Sequence, residues 1–270
     1  MAYLKHIFII SMICFILQQI PVISQIPVNT WRDHFSYSHA FLVTETPGKI
    51  FCVTRGGLFF LDLQNNSLNT LTRIQGLSDH GIADITYSDE AETIVIAYEN
   101  TNIDLVRAEG IKNVNDILRK SIPGMKKINH ISVIGPYAYL STSFGVVVLN
   151  LKKNEIKDTY TIGENGIPVE VNDFIRFGFY FYAATSSGLY RAPADSPDLV
   201  FYGVWEHITN IPSFNKPFNR IISFQDKLLV NRSDGTLPQD SLYLFDGEAW
   251  SLFFSEPNTH LRSIRVSNHS

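Results

Sequence analysis

Apolar residues along this chain fall in short runs, some strictly alternating and some continuous, and turn residues punctuate nearly every run. The clearest copies are Lys49–Asp62, Tyr137–Asn150 and Phe179–Arg191, each reading as a strand, a tight turn and a second strand. Their turn anchors, Gly57, Asn102, Gly145 and Gly188, are 45, 43 and 43 residues apart. A further turn and strand, Ser241–Gly247, follows after a longer interval. That period is the one expected of four-stranded β-propeller blades. Each anchor glycine is expected to take the positive φ of a two-residue hairpin turn, with Asn102 as the next-best residue for it.

The pattern repeats about five times, so the chain is predicted to be all-β, with strands A to D running outward in each blade. Strand A is read in Ile82–Tyr87, Ile128–Val133, Val171–Arg176 and Phe218–Ser223, which align in one register. An asparagine follows the first apolar residue in the last three, and the next position is polar in all four (Asp84, His130, Asp173, Arg220). Recurrent polar residues of this kind are expected to satisfy backbone groups near the narrow channel. Strand B is read in Thr93–Tyr98, Ala138–Thr142, Phe179–Ala183 and Lys227–Asn231, and strand C after each turn anchor. Strand D is read in Leu68–Arg73, Glu155–Thr161, Trp205–Thr209 and Trp250–Phe254, where Trp205 and Trp250 read as seals between blades. In the second blade Ile111–Lys120 fits an outer strand with a short helical turn. The run His260–Ser267 resembles one more strand A, so the expectation is about five blades and the start of a sixth, a truncated ring.

Residues 1–24 read differently. Lys5 precedes an apolar run from Ile7 to Leu17, with Val22–Ser24 ahead of Gln25, the pattern of a secretory signal peptide. The run is shorter than the roughly 20 apolar residues that a spanning helix needs. An exported product is expected, with residues 25–270 forming one incomplete propeller domain. Cys14 lies inside the apolar run, which leaves Cys52 as the single thiol, read as a small buried hydrophobe with no disulfide partner. The whole chain has 22 basic and 26 acidic residues, a formal net charge of −4. Removing Lys5 makes the remainder more negative still, so no field suited to nucleic acid is expected.

Reactive chemistry is thin. The histidines beyond the leader (34, 39, 80, 130, 207, 260 and 269) never pair at helical metal-ligand spacing, and no cysteine pair exists, so neither a metal nor a cofactor is expected. No nucleophile elbow, phosphate loop or dinucleotide fingerprint is present. Paired carboxylates for glycoside hydrolysis remain open, since different blades can supply them. Binding is the stronger reading. The D-to-A loops at Ser78–Gly81, Met125–Lys127, Asn165–Pro168 and Asn215–Pro217 share one face, where Lys126, Lys127, Lys216 and Arg220 supply scattered positive charge. Such charge suits an anionic polysaccharide or lipopolysaccharide, although the ordinary reading of loop lysines is plain solvation.

One ordered set of motifs carries a family resemblance. Gly76–Asp79 with Ile82–Tyr87, then Asn102–Val106, Ile128–His130, Ala138–Thr142, Phe144–Leu149, Glu155–Tyr160, Ala183–Thr185 and Gly188–Ala192 together resemble the N-terminal propeller of the PorZ family. These are components of the type IX secretion system of Bacteroidota. The resemblance implies a non-catalytic part of the cell-surface sortase complex, which cleaves the C-terminal signal of exported cargo and attaches anionic lipopolysaccharide to it. The other subunits of that complex are the partners it implies, and it carries over no catalytic residue. Single blades also resemble the sensor propellers of hybrid two-component regulators, so a periplasmic oligosaccharide sensor is the alternative.

Overall fold

The computed structural model describes residues 37–233, 240–256, 260–261 and 264. The expected leader, with Cys14, lies outside them. Among the described residues the chain forms five four-stranded antiparallel sheets, each built of strands consecutive in sequence. The first contains β1 (Leu42–Thr46), β2 (Lys49–Thr54), β3 (Gly57–Asp62) and β4 (Ser67–Leu71); the second β5 (Ile82–Ser88), β6 (Thr93–Tyr98), β7 (Ile103–Arg107) and β8 (Gly110–Val114). The third contains β9 (Ile128–Ile134), β10 (Tyr137–Thr142), β11 (Gly145–Asn150) and β12 (Glu155–Tyr160). The fourth contains β13 (Val171–Phe177), β14 (Tyr180–Thr185), β15 (Gly188–Pro193) and β16 (Glu206–His207). The fifth contains β17 (Phe218–Phe224), β18 (Lys227–Arg232), β19 (Ser241–Phe245) and β20 (Trp250–Ser255). These are propeller blades, as the repeat predicts.

Their stacking explains why the second strands read as continuous apolar runs. Alternate side chains of a strand point to opposite faces, and here both faces are covered. From β6, Ile94, Ile96 and Tyr98 pack toward Phe51, Val53 and Leu58 of the first blade, while Val95 and Ala97 pack toward Ile131 and Leu140 of the third. Likewise Phe181 and Ala183 of β14 join Tyr139 and Tyr160 of the third blade, while Tyr182 and Ala184 join Phe218 and Val230 of the fifth. Each layer between blades is therefore a hydrophobic core of its own. Fully burying one such large side chain contributes about 2 kcal/mol.

Trp205 seals the third layer as expected. It is buried, its ring lies 5.9 Å from Tyr160 and 6.2 Å from Phe174, and its indole N–H donates to the Leu199 carbonyl at 2.9 Å. Trp250 is only partly buried; it packs on Phe245 at 4.9 Å, beside the core between the fourth and fifth blades.

Three details differ from the sequence expectation. The outer strand of the fourth blade has two residues, Glu206 and His207, instead of the five from Trp205 to Thr209. Trp205 is buried with its indole bonded to Leu199 and takes no part in the pairing, and Pro193 at the end of β15 has no N–H to extend the ladder. In the second blade Asn102 is not the residue of positive φ; Thr101 is, at 72°. Cys52 is half-buried, not fully buried, and its thiol pKa is raised by that burial. Of the strand expected at residues 260–267, only His260, Leu261 and Ile264 are described; the Leu261 amide donates to Asp240 Oδ2 at 2.7 Å, and Ile264 lines the central channel.

Candidate functional site

The innermost strands β1, β5, β9, β13 and β17 line a central channel of about 670 Å³. A bulge recurs near the start of β5, β9, β13 and β17, where the pairing with the next strand shifts register. The bulged residues are Ala83, Asn129, Asn172 and Asn219, which gives the recurrent asparagine its reason. Unpaired by the ladder, its amide reaches the next blade: Asn129 Nδ2 donates to the Val171 carbonyl and Asn172 Nδ2 to the Phe218 carbonyl, both at 2.8 Å.

The polar residue after each bulge points into the mouth of the channel. Asp84 Oδ1 accepts from the Ile85 amide at 2.9 Å, and its Oδ2 accepts from Ile131 of the next blade at 2.8 Å. Asp173 repeats the arrangement with Phe174 at 2.8 Å and Ile221 of the next blade at 3.0 Å. The expectation that these residues satisfy backbone groups thus holds for both aspartates. His130 lies between them, with Nδ1 2.8 Å from Asp84 Oδ2 and Nε2 3.5 Å from Asp173 Oδ1. The Nδ1 contact lacks the alignment of a hydrogen bond and is an ion pair when the ring is protonated. Arg220 completes the row, 3.6 Å from Asp173 Oδ2. Burial opposes protonation of His130, but the Asp84 contact and the charges of Asp173 and Asp84 outweigh burial and Arg220. They raise its pKa above the ordinary histidine value. This pairing was not legible in sequence, because the partners are more than forty residues apart. The signal was the shared register of Asp84, His130, Asp173 and Arg220.

The four cationic residues singled out on the loop face have separate fates. Lys126 Nζ donates to the carbonyls of Ile117 (3.0 Å), Leu118 (2.6 Å) and Lys120 (3.1 Å), so its ammonium closes the end of the short helix α1, Asp116–Arg119. Lys127 is exposed and 3.9 Å from Glu170. Lys216 is exposed, and among the described residues it has no ion-pair partner. Arg220 stands in β17 and lines the channel mouth. The structure therefore brings Arg220 to His130 and Asp173, and leaves Lys127 and Lys216 as the cations free to meet solvent.

Taken together, blades, bulges and channel define a β-propeller whose ordered polar groups hold strands to one another. The family follows from the matched residues: positions 50–206 fit the model of the PorZ N-terminal beta-propeller domain of the type IX secretion system, and the chain belongs to that family. Among solved structures it is similar to PorZ of Porphyromonas gingivalis, described as an essential bacterial surface component of the type IX secretion system, with a TM-score of 0.69 and 22% identity. That match covers 80% of this chain and 28% of the PorZ chain. It is also similar to the extracellular domain of a Bacteroides thetaiotaomicron protein assigned to a hybrid two-component system (TM-score 0.57, 14% identity, 83% and 29% covered). The propeller domain of Cps50 (Swd1) from Myceliophteria thermophila matches with a TM-score of 0.53 and 11% identity, over 84% and 74% of the two chains. No curated protein matches the chain.

Proposed function

We propose that this chain is a non-catalytic propeller subunit of the type IX secretion system at the cell surface. In this reading it acts in the complex that removes the C-terminal signal of exported cargo and attaches anionic lipopolysaccharide to it. The observation that carries the reading is the family match over residues 50–206. Two features of the chain support it: the aspartates of the site region are committed to backbone groups, and exposed cations, Lys127 and Lys216 among them, stand on loops between blades. Partner subunits and lipopolysaccharide are the occupants proposed for that loop face.

The test is deletion of the segment encoding this chain in its own host, followed by analysis of secreted cargo. Cargo should accumulate with its C-terminal signal uncleaved and without lipopolysaccharide, and re-expression should restore both. Normal cleavage and attachment in the deletion strain would overturn the proposal. If secretion is intact but transcription of polysaccharide-use genes changes, the sensor reading replaces it; the likeness to the two-component extracellular domain, at 14% identity, shows the fold alone.

A further inference from the structure

The row Asp84, His130, Asp173 and Arg220 crosses four consecutive blades at one end of the channel, and its one histidine is the residue type whose ordinary pKa lies near neutral. The two aspartates are buried at 6% and 2% exposure and are fixed in place by two backbone amides each. They cannot swing away to water. His130 is held between them with one ring nitrogen toward each, so its charge decides whether three inner strands attract one another or leave buried carboxylates facing a neutral ring. We propose that His130 is a proton-dependent clamp that ties the inner strands of the second, third and fourth blades together and sets the charge of the channel mouth.

Among the described residues, the charges facing His130 come from the strands packed around it. Asp84 comes from β5, Asp173 from β13 and Arg220 from β17, with Arg176 also in the channel lining; β1 contributes Val43 and Thr44 there. The adjoining β10 and β6 place no Asp, Glu, Lys, Arg or His beside it. Within the row, Asp84 and Asp173 face two cations, His130 and Arg220, as long as His130 is protonated. Once the proton is lost the row itself carries one negative charge in excess, with exposed Arg176 of the channel lining standing outside it. The folded-state pKa is raised, so the clamp is complete below the ordinary histidine value of about 6.5. It is released as the pH rises through His130's own higher value.

The deciding measurement is the ring titration of His130 by NMR in the intact chain with isotope-labelled histidine, read beside exposed His39. The His130 midpoint should lie above that of His39. Arg220→Gln, which removes the facing cation, should move it up, and Asp173→Asn should move it down by about 1 pH unit. Thermal midpoints supply the second readout. Wild type should exceed His130→Gln by about 3 °C at pH 5.5, and the difference should vanish by pH 9. A His130 midpoint at or below that of His39, or a difference in thermal midpoint that is the same at both pH values, would overturn the clamp. If His130→Gln does not fold, the wild-type titration and the Arg220→Gln shift decide the matter without it.

Discussion

Gly145 opens β11 at a φ of +121°, and a Cβ built there would lie 2.2 Å from the Tyr160 carbonyl oxygen of the outer strand. Gly188 repeats the situation at +132°, with the Phe214 carbonyl 2.3 Å away. These glycines sit one step past the two-residue turns, where Thr142 and Thr185 accept from the turn amides and donate to the glycine carbonyls. Their necessity therefore has two sources, the backbone angle and the close approach of other backbone, the outer strand at Gly145 and the loop carbonyl of Phe214 at Gly188. Gly145→Ala should cost about 3 kcal/mol, the sum of a strained φ and a backbone overlap, and lower the thermal midpoint by about 8 °C. Gly110 is the control, because it has a φ of +138° with nothing within 4 Å of the added carbon. Gly110→Ala should cost about 1 kcal/mol, the angle alone. Equal losses in the two variants, measured by urea unfolding, would remove the steric half of the explanation.

At the scale of strands and loops, α1 and the segment after it depend on one side chain. Lys126 Nζ gathers the carbonyls of Ile117, Leu118 and Lys120, which the short helix leaves without partners of its own. Lys126→Met keeps the apolar stem and removes the donors, so the segment should loosen by about 2 kcal/mol while the blades stay folded. Limited proteolysis with mass spectrometry should find faster cleavage between Ser121 and Met125; an unchanged cleavage pattern would mean the cap does not hold this loop. The sequence shows such elements unevenly. Strand A was legible because Ile82, Ile128, Val171 and Phe218 repeat one register, and strand B because burial on both faces leaves no polar alternation to obscure it. The short β16 was not, since Trp205–Thr209 has a strand's pattern, yet only Glu206 and His207 pair with β15 while the buried Trp205 indole bonds to Leu199. Lys126 misled for a similar reason. A lysine in a polar loop looks solvated until the carbonyls it serves are located.

For the whole molecule, charge is the quantity that limits what the propeller can bind. The chain carries a net charge of −4, so a polyanion meets overall repulsion and must be held by local cations. Of the four on which the sequence reading relied, Lys126 is spent on α1 and Arg220 faces Asp173 inside the channel. That leaves Lys127, which Glu170 neutralises only loosely at 3.9 Å, and Lys216. Exposed pairs of this kind contribute at most about 1 kcal/mol each, and at physiological salt their reach is about 8 Å. On the proposed function, affinity for anionic lipopolysaccharide should therefore be modest and should fall as salt is raised. The double variant Lys127→Glu with Lys216→Glu should weaken binding about tenfold at low salt and flatten its salt dependence, while Glu170→Gln, by freeing Lys127, should strengthen it. Calorimetric titration at two salt concentrations, with a neutral polysaccharide as control, distinguishes the cases. Binding that ignores both the salt and the two charge reversals would move recognition away from the lysines, to aromatic or apolar surface or to a partner subunit.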